Sequence, residues 1–167
     1  MRAVDEREVR ASFVNASRGE AERLRVPSDL AARSWDDLDF LGWVDERSPL
    51  HAYLVLADDE DRLVGVQLRR APAGVGPRRA RMCSLCTTTH PGQGAALMVA
   101  PRAGRSGRAG NTVGVDVCAD VACSAYVRGL KSLPPLMRVP ETLTVEERAA
   151  RLRRNLLTFV DRVRAQR

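Results

Sequence analysis

Cys83-Ser-Leu-Cys86 and Cys118-Ala-Asp-Val-Ala-Cys123 contain all four cysteines of this 167-residue chain, and their two spacings decide how it folds. A structural zinc ion needs four soft or borderline ligands in a tetrahedron, and a C-x-x-C turn supplies two thiolates from one tight backbone knuckle. Cys83 and Cys86 meet that requirement. The wider second pair suits one ligand at the end of a strand and another in the first turn of a helix. Between the pairs lies enough chain for one β-hairpin, which is the spacer of a treble clef. Cys83, Cys86, Cys118 and Cys123 are therefore expected to hold one structural Zn2+. A thioredoxin-type redox pair would need a βαβ setting for Cys83 and Cys86, and would leave the second pair without a purpose.

Four cysteine ligands close a zinc site and leave no position open for water, which favours structure over catalysis. His90 follows Cys86 by four residues and reads as a surface loop histidine, with a substitute ligand or a partner to a sulfur as alternatives. His51 opens a strand. No Ser/His/Asp arrangement, phosphate-binding glycine loop or H-E-x-x-H segment is present, so no enzymatic activity and no small-molecule substrate are expected. Gly104-Arg-Ser-Gly-Arg-Ala-Gly110 lacks the Walker lysine and has the composition of an exposed basic loop.

The length suits one hydrophobic core, and the whole chain, 1–167, reads as a single domain. A charged start, MRAVDEREVR, and the lack of any long apolar run predict a soluble, cytoplasmic protein with no membrane partner. In that compartment thiols stay reduced, which again favours metal over disulfides. Ser28 to Asp61 holds ten acids against Arg33 and Arg47, whereas no acid occurs from Arg62 to Val115. That separation predicts faces of opposite sign and an anionic partner such as RNA, a ribosome or an acidic protein.

The predicted class is α+β: a small antiparallel sheet with a treble-clef zinc unit, flanked by an N-terminal helix and a long C-terminal helix. Residues 1–47 read as a helical segment. Within it Asp5 to Ala16 forms a helix ended by Ser17-Arg18-Gly19, Ser28 and Ser34 cap short helices, and Trp35 and Trp43 anchor the segment to the core. Residues 48–132 hold the zinc unit and a hairpin made of His51–Ala57 and Arg62–Arg69. Further strands are expected at Gly94–Ala100 and Thr112–Val117, and a helix at Asp120–Lys131. Residues 72–77 read as a flexible connector, and Pro134-Pro135 as a break. Residues 140–167 carry the clearest helix, because Thr144 and Glu147 form a capping box ahead of an apolar stripe of Val145, Ala149, Leu152, Leu156, Phe159 and Val163.

MCSLCTTTHPG and GNTVGVDVCADVACSAYVRG, preceded by ASFVNASRGEAERLRVP and WDDLDFLGW, together resemble the FBP-domain proteins of actinobacteria. That group is similar to the C-terminal treble-clef zinc domain of elongation factor G-binding proteins, the FusB-type fusidic acid resistance proteins. The resemblance implies a zinc-stabilised domain that binds elongation factor G and helps it leave a stalled ribosome, without covalent chemistry. It also implies a three-cysteine, one-histidine zinc site in the resistance proteins. The place of that histidine is Asp116 here, so Cys83 or Cys86 would supply the fourth ligand. Candidate partner contacts are Arg78, Arg79, Arg81, Arg102, Arg105, Arg108, Tyr126 and Arg128. The alternative partner is the ribosome or its RNA, met by the same arginines.

Overall fold

Alternation of apolar residues builds the central sheet. In the computed structural model, which describes residues 1–71, 79–133 and 141–165, β1 (Leu41–Val44), β2 (His51–Ala57), β3 (Leu63–Arg70), β6 (Ala95–Pro101) and β7 (Thr112–Cys118) form one five-stranded sheet. Its order is β1-β2-β3-β6-β7, and every neighbouring pair is antiparallel. Every second residue faces one core: Ala52, Leu54 and Leu56 of β2, Val64, Val66 and Leu68 of β3, Ala96, Met98 and Ala100 of β6, and Val113, Val115 and Val117 of β7. Against that face lies α5 (Val145–Arg164), which buries Leu152, Leu156, Phe159, Val160 and Val163. Its capping box forms as the sequence predicts, with Thr144 Oγ1 accepting from Glu147 N and Glu147 Oε2 accepting from Thr144 N. The α+β arrangement with a small antiparallel sheet and a long C-terminal helix is thus the observed one.

A second core covers the opposite face of β1 and β2. Leu41, Trp43, Tyr53 and Val55 pack there beneath α1 (Glu6–Ala11) and α2 (Arg18–Arg23). Trp43 stacks on Tyr53, its register partner, at 4.9 Å between ring centroids, and Phe13 meets both rings edge-on. Both tryptophans anchor as expected, with Trp43 Nε1 donating to Arg25 O and Trp35 Nε1 to Leu30 O.

Several local expectations fail. The first helix stops at Ala11, because the Ser12 hydroxyl bonds back to Val9 O and Phe13 bridges to Gly65 of β3. Ser17 starts a helix instead of ending one, its Oγ accepting from Glu20 N in a second capping box. Ser28 and Ser34 make no capping bond, and only single 3-10 turns follow at Leu30–Ala32 and Trp35–Asp37. Leu41–Val44, inside the segment expected to be helical, is a strand held by pairing with β2. Gly104–Arg108 is a short helix, α3, and the helix after the second cysteine pair, α4, spans only Cys123–Val127 before Gly129 at φ +70. The connector at 72–77 and the break at Pro134-Pro135 lie outside the described residues. Among the described residues no helix is long and apolar enough to cross a membrane.

Candidate metal centre

The knuckle forms on a two-stranded hairpin of β4 (Arg81–Met82) and β5 (Thr89–His90), with Arg81 opposite His90 and Met82 opposite Thr89. Cys83 N donates to Thr88 O and Thr87 N to Cys83 O, while Cys86 N points at Cys83 Sγ from 3.4 Å. Thr87 closes the turn at φ +61. Two long-range bonds fix the knuckle to the rest of the fold: Ser84 N donates to Asp116 O of β7, and Asn155 Nδ2 of α5 donates to Leu85 O at 2.9 Å. Leu85 is itself buried in the main core. The other pair stands where its spacing places it, Cys118 as the last residue of β7 and Cys123 as the first of α4.

All four sulfurs are buried and lie within 4.8 Å of one another. Three separations are 3.7 Å (Cys83 to Cys123), 3.5 Å (Cys86 to Cys118) and 3.6 Å (Cys118 to Cys123). A tetrahedron with Zn–S bonds of about 2.3 Å has edges of about 3.8 Å, whereas a disulfide would need about 2.05 Å. The donor set therefore fits one zinc ion. Its electrostatics agree. Hydrogen bonding from Cys118 and then Cys123 holds Cys83 and Cys86 below the ordinary thiol value. Cys123 is pushed well above it by its bonds to Cys118, Cys83 and Cys86 and by burial. Cys118 is raised too, because the bond to Cys123 that favours its thiolate is outweighed by those to Cys83 and Cys86 and by burial. Ionising one thiol thus opposes ionising the next, and a divalent cation relieves that conflict.

His90 is not a surface residue. It is 1% exposed, with Nε2 3.1 Å from Cys118 Sγ. Burial lowers its pKa, and a zinc-bound Cys118 thiolate, carrying no proton, would accept from Nε2. Gly94 makes room for the ring, since a Cβ there would stand 2.8 Å from His90 Cβ. Tyr126 packs edge-on against His90 at 4.8 Å between centroids and donates to Asp120 Oδ2, which also accepts from Lys131 Nζ. Burial first, then Asp120, pushes the Tyr126 phenol above its ordinary value. Asp116 takes no part in the centre, and its carboxylate pairs with Arg81. Sequence reasoning missed Asn155, which nothing distinguishes along an arginine-rich helix until the knuckle is seen beside it.

The candidate contact residues do not converge on one patch. Arg79, Arg81 and Tyr126 lie by the knuckle. Arg102 bonds to Arg162 O and Ala165 O, which puts it and the exposed Arg105 and Arg108 of α3 at the C-terminal end of α5. Arg128 is committed to Asp39, at 2.5 and 3.0 Å, and ties α4 to the N-terminal segment. Arg78 lies outside the described residues. Nor do the acidic and basic stretches separate cleanly. Arg62 and Arg164 pair with Asp58, and Arg153 with Asp59, so bases from the turn before β3 and from α5 neutralise part of the acidic run.

No curated protein matches the chain. A solved structure of the fusidic acid resistance protein FusC is similar at 17% identity and a TM-score of 0.48, covering 64% of this chain and 46% of that one. The chain thus spans under half the length of that relative. Residues 8–163 match the family described as the FBP C-terminal treble-clef zinc-finger. With the match running over nearly its whole length and four buried sulfurs at zinc-site spacing, the chain belongs to the FBP C-terminal treble-clef zinc-finger family.

Proposed function

We propose that Cys83, Cys86, Cys118 and Cys123 hold one structural zinc ion in a non-catalytic protein that binds elongation factor G and promotes its release from stalled ribosomes. Such an activity would belong in the cytoplasm and would confer resistance to fusidic acid where the drug causes the stall. The observation that carries the reading is the family match over residues 8–163, joined to a centre whose ligands are all supplied by the chain. Four thiolates leave the ion no open position for substrate or water, so the zinc acts by fixing shape. It joins the β4–β5 knuckle to the β7–α4 corner and holds the surface around Tyr126. Release would follow from tighter binding to the factor's departing conformation than to its stalled one, since a ligand shifts an equilibrium only through such a difference.

The test is capture of purified, nuclease-treated elongation factor G by the immobilised zinc-loaded chain. Retention of the factor supports the reading. Loss of retention on nuclease treatment, with ribosomal RNA held instead, supports the alternative in which the arginines bind phosphates.

A further inference from the structure

A cavity of 630 Å³ opens beside the metal centre, between the knuckle, the residues after α4 and the first turns of α5. Its lining carries three bases, Lys131, Arg148 and Arg151, against one acid, Glu141. Two of the bases are engaged, Lys131 with Asp120 and Arg151 with Glu141. Arg148 makes no salt bridge among the described residues; it lies in the field of Glu141 and Glu146, and its side chain makes a 3.4 Å bond from Nε to Thr144 O. Arg151 adds a second unmet demand. Its Nε is buried with no hydrogen-bond partner, the single such side-chain atom among the described residues. A buried donor left unpaired is costly, and native proteins keep few of them without a reason.

The rim is apolar. Met82 lines the cavity and is 56% exposed, and Leu130, between the lining residues Gly129 and Lys131, is 63% exposed. We propose that this cavity is the docking site for a protein segment bearing a carboxylate beside an apolar side chain. The carboxylate meets Arg148 and Arg151, and the apolar group lies against Met82. This rests on the reading that the partner is a protein. The cavity is poorly suited to RNA, because Tyr126, the aromatic ring in its lining, is packed against His90 and bonded to Asp120 and cannot offer a face for a base to stack on.

The fold supplies its own control. The Arg18 side chain of α2 is 95% exposed, and α2 packs on the second core, on the face of the sheet opposite α5. Equilibrium binding of the zinc-loaded chain to nuclease-treated elongation factor G should weaken about tenfold or more in Arg148→Glu and in Met82→Asp, with zinc content unchanged. Arg18→Glu should leave it within about twofold. Full affinity in both cavity variants overturns the inference and leaves the proposed function standing. Failure of the wild-type chain to bind the factor removes that function and the inference with it. Retention of ribosomal RNA that depends on Arg148 assigns the cavity to RNA and overturns the protein-docking proposal.

Discussion

His90→Ala removes one contact to the metal centre while leaving all four cysteines in place. His90 Nε2 lies 3.1 Å from Cys118 Sγ in a site that is 1% exposed, and a zinc-bound thiolate there, having no proton of its own, would accept from it. A buried hydrogen bond to a charged acceptor contributes about 1.5–3 kcal/mol. Loss of a partner that orients a metal ligand typically lowers metal affinity by about 10–100-fold, or ~1.4–2.7 kcal/mol, so the two magnitudes agree. Competition against a chromophoric chelator at neutral pH should therefore show zinc bound about 10–100-fold more weakly by His90→Ala. His90→Gln, which returns an amide donor to the same pocket, should recover most of that loss. Equal affinity in the wild type and His90→Ala would refute the reasoning and leave the ring as core packing alone.

Asp58 caps the β2–β3 turn, accepting from Glu60 N, Arg62 N and the Arg62 guanidinium. Burial would raise its carboxyl, but these bonds outweigh burial and hold it below the ordinary value, so it adds stability above about pH 4 that is lost as the pH falls further. Asp58→Asn should flatten the acid limb of a urea-stability profile, and an unchanged slope below about pH 4 would count against that account. Leu156→Ala opens the core between α5 and the sheet at a fully buried position and should cost about 2–5 kcal/mol in urea unfolding, with a shift under 1 kcal/mol as the contrary result. Arg128→Met breaks the pair with Asp39 and should lower thermal stability while affinity for elongation factor G holds. A selective loss of affinity at unchanged stability would instead place Arg128 on the contact surface.

The parts legible in sequence were those whose signal is local. Two cysteines three apart predict a knuckle, and Thr144 with Glu147 ahead of a stripe at helical spacing predicts α5, because each depends on neighbours along the chain. The strand-like runs His51–Ala57 and Arg62–Arg69, separated by Asp58 to Asp61, likewise marked the central hairpin. The unreadable parts depend on distant partners. Leu41–Val44 is too short to show a period and becomes a strand through β2, while Ser12 and Phe13 leave helical structure because Gly65 offers a bridge. His90 looked exposed from its Thr-Thr-Thr-His-Pro surroundings. It is buried because the β4–β5 hairpin folds it onto Cys118, a residue 28 positions away. Composition gave the charge of α3 correctly but not its helix, which requires Gly107 where any Cβ would stand 1.8 Å from Arg102 O.

The central claim, that one zinc ion on four cysteines gives this fold its binding surface, is tested most directly by metal analysis of the purified chain with no metal added. The account predicts about one zinc per chain, lost in Cys118→Ser together with protection of the β4–β5 knuckle from proteolysis. A chain without metal whose four thiols titrate freely while the knuckle stays protected would contradict it.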